Sequence, residues 1–208
     1  DAATFKMLGE GHAFGVFQFE SAGMRNVITQ LGPESIEDLI AVISLYRPGP
    51  MESIPRYIRN RHNPQLVTYK TPELRPILDV TYGCIVYQEQ VMQICRQLAG
   101  YSYGRADLVR RAMAKKKHDV MEKERESFLD GAEQNGIDRK IANEIFDEMS
   151  SFASYAFNKS HAAAYAIVAY RTAYLKAHYP KEYMAALLTS VLASADKISE
   201  YIQAAREM

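Results

Sequence analysis

"RADLVRRAMAKKK", residues 105–117, holds six cations and one acid, a local net charge of +5. Yet the 208-residue chain carries 25 Lys+Arg against 25 Asp+Glu, a formal net charge of +0. The stretch that follows, 119–149, sets ten acids against four bases, or −6. A neutral total therefore covers a strong local field. At ~100° per residue, Leu108, Val109, Ala112 and Met113 share one arc and are expected to face a core. Arg110 and Lys117 fall on one flank of the opposite side, Arg111 and Lys115 on the other, and Lys116 projects near the apolar arc. Guanidinium groups on a helix anchored in this way can hold their planar donor forks toward phosphate oxygens. The competing reading pairs the same cations with the acidic stretch that follows. The residues alone leave both open.

Working outward, helical periodicity dominates. A helix is predicted through Met24, Val27, Ile28 and Leu31, ended by Gly32-Pro33. Ser35 and Asp38 form a capping-box pattern for a helix through Leu39, Ile40, Ile43 and Leu45. "RPGP" (47–50) must end it, because two prolines and a glycine cannot continue a helix. A helix near 51–61 and a Pro-punctuated loop (62–76) follow. "EQVMQICRQLAG" (89–100) is amphipathic, with Val91, Ile94, Cys95 and Leu98 on one face and Gly100 past its end. Further helical patterns cover about 105–130, 138–152, 161–178 and 181–193, with a turn at Asn135-Gly136. "FGVFQFES" (14–21) and "CIVY" (84–87) are rich in aromatic and β-branched residues and read as short strands. The expected fold class is mainly α with a few short strands.

A second stretch, "SYAFNKSHAAAYAIVAYRTAYLKAHYP" (154–180), has the same two-sided character. Asn158 or Ser160 can cap a helix starting near His161. Tyr165, Ile167, Val168, Tyr170, Tyr174 and Leu175 make it apolar almost all round, which predicts a centrally buried helix. Its start gathers Asn158, Lys159, Ser160 and His161 where free N–H groups and partial positive charge favour an anion. A cap with a buried polar cluster would use the same residues.

Other classes find little support. The five histidines lack metal-ligand spacing with Cys or Glu. There is no GxxxxGK[ST] loop, no dinucleotide glycine pattern and no local Ser-His-Asp motif. Cys84 and Cys95 fit small core hydrophobes in a reducing cytoplasm. No apolar run approaches the ~18 residues of a membrane span, and no secretory signal is visible. The opening, "DAATFKMLGE", reads as the start of a segment of a longer polypeptide.

Six blocks then occur in order: "VFQFESAGM" (16–24), "LYRPGP" (45–50), "YGCIVYQEQVMQI" (82–94), "GRADLVRRAMAKKK" (104–117), "FNKSHAAAYA" (157–166) and "KAHYPKEYMAALLTS" (176–190). Together they resemble the fingers region of the C-family bacterial replicative DNA polymerases, the DNA polymerase III alpha subunits, over nearly the whole chain. Ala114 and Ala156 stand where that family commonly has glycine. The resemblance implies that 1–208 is a fingers-domain fragment, with the palm, phosphoesterase-like, helix-hairpin-helix, OB and clamp-binding parts elsewhere. It implies a nucleotide site made of Arg110, Arg111, Lys115, Asn158, Lys159 and His161. Arg47, Lys116 and Lys117 would face DNA or the active site. The implied partners are template-primer DNA, the deoxynucleoside triphosphate, the palm and other domains of the same polypeptide, and replisome subunits such as the sliding clamp. Mg²⁺ would be held by palm aspartates, so no catalytic or metal residue is assigned in this chain and the fragment alone is expected to be inactive. A freestanding helical nucleic-acid-binding module and a protein-interaction scaffold are the alternatives.

Overall fold

The structure, a computed structural model, describes residues 1–115, 118–153 and 155–206. Among them the chain forms α1 (Ala2–Gly9), α2 (Ala22–Leu31), α3 (Ile36–Leu45), α4 (Ile54–His62), the single-turn α5 (Arg75–Leu78), α6 (Gln88–Ala99), α7 (Tyr103–Ala114), α8 (His118–Gln134), α9 (Arg139–Ala153), α10 (Lys159–His178), α11 (Pro180–Ser190) and α12 (Ala195–Arg206). The mainly α class holds. The expected strands do not form: the described residues contain one isolated parallel bridge, Tyr87 with Phe157. The chain divides into two compact units, Asp1–Ile43 with the chain from Ala163 onward, and Ser44–Ala162.

In the first unit the helix ends are set by local signals. Ser21 Oγ accepts from Met24 N–H at 3.3 Å to start α2, and Gly32, at φ 59°, ends it. Ser35 and Asp38 cap each other, Asp38 N–H to Ser35 Oγ at 3.2 Å and Ser35 N–H to Asp38 Oδ2 at 3.1 Å. Residues 14–21 instead form consecutive turns, Val16 N–H to Ala13 O and Phe19 N–H to Val16 O, both 3.0 Å. Gly15 and Gln18 take positive φ (74° and 66°), which breaks any extended run. The alternating apolar residues there serve a folded loop, with Val16 and Phe19 fully buried.

That loop explains a second correction. The buried stripe of α10 in this unit is Ala166, Ala169, Ala173 and Lys176, while Ile167, Val168, Tyr174 and Leu175 are exposed. Small side chains let the loop backbone come close. Lys176 Nζ donates to His12 O at 2.9 Å and Phe14 O at 2.8 Å, and Thr172 Oγ1 accepts from Phe17 N–H at 3.2 Å. The ammonium is buried, and that burial pushes its pKa down to about 8. Helix α12 carried no expectation, and it contributes the buried Tyr201.

The second unit is built on α6 to α9. Val91, Ile94, Cys95 and Leu98 of α6 meet Val109 and Met113 of α7, Phe128 and Ala132 of α8, and Ile145, Phe146 and Met149 of α9 in one core. Contact at this spacing is the ordinary result of amphipathic helices burying their stripes on one another. Gly131 shows how close the packing is: a Cβ there would lie 2.4 Å from Ala99 O. Gly100 (φ 70°) closes α6, and Gly136 (φ 81°) turns the chain between α8 and α9. The pattern over 105–130 divides into α7 and α8. Leu108 departs from the expected arc at 65% exposed, while Ala106, Val109, Ala112 and Met113 are buried. Ions tie the rest of the unit to α9: Arg56 pairs with Glu148 at 3.2 Å and Lys70 with Glu144 at 3.4 Å.

Candidate functional site

The site lies within the second unit, where three segments meet: the start of α6, the polar side of α7, and residues 155–161 at the amino end of α10. Its base is rigid. Gln90, buried in the first turn of α6, accepts from Val86 N–H at 2.8 Å and Tyr87 N–H at 3.0 Å. The same side chain donates to Thr81 Oγ1 at 2.7 Å. It thereby fixes the 84–87 segment that the sequence presented as a strand. Phe157 N–H donates to Val86 O at 3.3 Å and Gln88 N–H to Phe157 O at 2.9 Å, forming the single bridge.

On α7, Arg110 and Arg111 share one carboxylate. Arg110 Nε and Nη2 donate to Asp107 Oδ1 at 2.9 and 2.7 Å, and Arg111 Nη2 lies 2.7 Å from Asp107 Oδ2. The hydrogen bond from Arg110, then the positive charge of both guanidinium groups, holds the Asp107 carboxyl below its usual range. The two arginines are not equivalent. The Arg110 side chain is 20% exposed and also donates from Nη1 to Gln88 Oε1 at 3.0 Å, whereas the Arg111 side chain is 63% exposed. The competing reading holds for the first cation of the block: Arg105 meets Glu124 of α8 at 3.1 Å and stacks 4.0 Å over the Tyr101 ring.

At the amino end of α10, Asn158 is the cap, its Oδ1 accepting from His161 N–H at 2.9 Å. The position expected to attract an anion already has one. Glu89 Oε1 accepts from Asn158 Nδ2 at 3.0 Å, and the Lys159 N–H reaches Glu89 Oε2 at 3.1 Å. A carboxylate at a helix N-terminus meets free N–H groups and the positive end of the dipole. Lys159 Nζ lies 5.2 Å from the Tyr87 ring centroid. The His161 ring sits edge-on to Phe157 at 5.4 Å, and Arg47 stacks on Phe157 at 4.3 Å. Arg47 also donates from Nε to Ser44 O at 3.0 Å and from Nη2 to Tyr155 O, and burial lowers its pKa.

Asp107 thus joins Arg110 and Arg111, Gln88 ties Arg110 to Ala156 O, and the adjacent Glu89 holds Asn158 and Lys159, while His161 and Arg47 both contact the Phe157 ring. Lys115 is exposed at the end of α7, where its N–H donates to Arg111 O at 3.1 Å. Lys116 and Lys117 lie outside the described residues. Sequence reasoning missed Gln88, Glu89, Asp107 and Phe157. The Asp107 spacing, three and four residues before the arginines, was a readable signal. The Glu89 contact spans sixty-nine and seventy positions and left none. Among the described residues there is no group of three or more His, Cys, Asp or Glu that could hold a metal ion. No described helix is long and apolar enough to cross a membrane.

Comparison with known proteins agrees with the block pattern. The family model described as "Bacterial DNA polymerase III alpha subunit finger domain" matches residues 1–136. DNA polymerase III subunit alpha of Thermus aquaticus is 54% identical over 213 residues, covering 100% of this chain and 18% of that protein. The Borreliella burgdorferi protein of the same name is 52% identical, covering 98% of this chain and 18% of its own length. That of Chlamydia trachomatis is 52% identical, covering 100% and 17%. The chain therefore spans less than a fifth of the curated relatives it matches. Over that span it belongs to the finger domain family of the bacterial DNA polymerase III alpha subunits.

Proposed function

We propose that this chain forms the nucleotide-binding surface of a replicative DNA-directed DNA polymerase. Arg110, Arg111 and Lys115 of α7, with Asn158, Lys159 and His161 at the start of α10, take the triphosphate of the incoming deoxynucleotide. Arg47, Lys116 and Lys117 are assigned to contacts with template-primer DNA or to the active-site side. The observation that carries this reading is the network itself. Arg110 and the amino end of a twenty-residue helix, more than forty positions apart, converge on the adjacent Gln88 and Glu89, and Asp107 joins Arg111 to Arg110.

The chemistry suits such a surface. Phosphoryl transfer requires charge neutralisation and positioning more than a protein nucleophile. Asp107 holds two donor forks side by side while leaving most of Arg111 in solvent, and because Glu89 occupies the Lys159 N–H, the α10 side contributes through the Lys159 and His161 side chains. The Mg²⁺ ions that activate the primer hydroxyl belong, on this reading, to carboxylates elsewhere in the longer polypeptide. So do the contacts to a sliding clamp. The proposed setting is the bacterial cytoplasm.

The test is single-turnover incorporation by the full-length polymerase subunit as nucleotide concentration is varied. Lys159→Ala should raise the half-saturating nucleotide concentration about 10-fold or more, the scale of a lost charged hydrogen bond, and leave primer-template affinity unchanged. An unchanged half-saturating concentration would remove Lys159 from the site.

A further inference from the structure

Two adjacent residues of the 82–94 block, neither given a role by the sequence reading, carry the geometry of this site. Gln88 and Glu89 open α6 and each serves a different side. Gln88 Oε1 accepts from Arg110 Nη1 at 3.0 Å, and Gln88 Nε2 donates to Ala156 O at 3.0 Å. Arg can only donate and a backbone carbonyl can only accept, so the group that joins them must both accept and donate, as a neutral amide does and a carboxylate does not. Glutamate in its place would satisfy the arginine and turn a carboxylate toward a carbonyl. Glu89 binds the other side, the Asn158 side chain and the Lys159 N–H. Beneath both, Gln90 pins the backbone that leads into them, with Val86 and Tyr87 N–H held at 2.8 and 3.0 Å.

We propose that Gln88 and Glu89 are the positioning residues of the phosphate site. They set the arginines of α7 against the amino end of α10, so that both reach one triphosphate. This rests on the reading of that site given above. Their role is geometric: neither needs to touch the nucleotide. The fixed side is Arg110, which Gln88 and Asp107 hold from two directions, and Arg111 follows on the same rigid helix. Without Gln88, Arg110 keeps Asp107 but loses its tie to the 156–159 segment. Small misplacements of this kind weaken a site well beyond the bond that is lost.

The experiment uses the full-length polymerase subunit with a primed template and single-turnover kinetics. Gln88→Ala and Glu89→Ala should each raise the half-saturating nucleotide concentration about 3- to 10-fold, with DNA affinity unchanged. Gln88→Glu should not rescue, because it cannot donate to Ala156 O. Glu89→Gln keeps an acceptor for the Lys159 N–H and should recover most of what Glu89→Ala loses. The decisive readout is a double-mutant cycle. In a Gln88→Ala background, the penalty of Arg111→Ala should shrink by about the same 3- to 10-fold, since an arginine already displaced has less to lose. Two independent variants and a melting curve separate the effect from unfolding. Strict additivity would overturn the proposal, as would Gln88→Ala and Glu89→Ala variants that melt normally and saturate at the wild-type concentration. Tighter nucleotide binding in both Glu89→Ala and Glu89→Gln would also overturn it, by making Glu89 a competing anion. If Arg111→Ala and Lys159→Ala themselves had no effect, the phosphate-site reading would fall and this proposal with it. Normal effects there with silent Gln88 and Glu89 variants would overturn this proposal alone.

Discussion

Replacing Arg111 by alanine separates a ligand-reaching arginine from a structural one. Its side chain is 63% exposed, and its partner is Asp107, an i,i+4 ion pair at 2.7 Å. Exposed helix pairs of this spacing contribute about 0.3–0.5 kcal/mol, and alanine is the better helix former. Arg111→Ala should therefore leave folding stability within about 0.5 kcal/mol of wild type. If the guanidinium meets a phosphate, the loss should instead appear in nucleotide use. A charged hydrogen bond is worth about 1.5–3 kcal/mol, which lowers kcat/KM for nucleotide about 10- to 150-fold. Arg111→Lys should restore part of this, since lysine keeps the charge but not the fork. Arg110 makes the control. With two bonds to Asp107, one to Gln88 and 20% exposure, its removal should cost stability of about 1.5–3 kcal/mol as well as activity. The assay is single-turnover incorporation against nucleotide concentration in the full-length subunit, beside primer-template binding and thermal melting. An Arg111→Ala protein that incorporates normally but melts early would refute the reasoning and make Arg111 a helix-stabilising residue.

Other outcomes follow from the same geometry. Gly131→Ala ordinarily stabilises a helix, but here the new Cβ would meet Ala99 O at 2.4 Å, so the variant should lower the melting temperature, and a rise would show that α6 and α8 are less tightly apposed. Lys176, pushed down to about 8, binds a proton less tightly folded than unfolded. Its contribution to stability should therefore be lost as pH falls through 8 and grow from pH 8 toward 10.5. Denaturant unfolding of wild type against Lys176→Met should show the difference widening over that window, and a constant difference would place the ammonium in solvent. Duplex DNA binding through about four phosphates should give a log–log salt slope of about −3 to −4. A flat dependence would point to contacts other than phosphate.

The parts of this fold that were legible in the sequence are those decided within one turn of helix. Gly32, Ser35 with Asp38 and Gly100 act through neighbours three or four residues away, and each works as its residue type predicts. The expected strands failed because extended backbone needs a partner that composition cannot name: residues 84–87 found one bridge, and 14–21 turned on Gly15 and Gln18. Helix α10 was misread for a related reason. Its period marks a helix, but only the approaching loop backbone decides that the alanine stripe is buried and Ile167, Val168 and Leu175 are not. In the candidate site the cations and one of their two acids were visible in the sequence, and the other acid was not. Asp107 lay in plain sight as the one acid of a basic block, while Glu89 reaches α10 across a separation that no local pattern encodes.

The most direct test of the central claim is a structure of the full-length subunit with primed DNA and a non-hydrolysable deoxynucleoside triphosphate. The account predicts phosphate oxygens about 3 Å from the Arg111 guanidinium and from donors at the start of α10, with Gln88 still bound to Arg110. A triphosphate bound elsewhere, with Arg111 turned to solvent and no phosphate near Asn158 or Lys159, would contradict it.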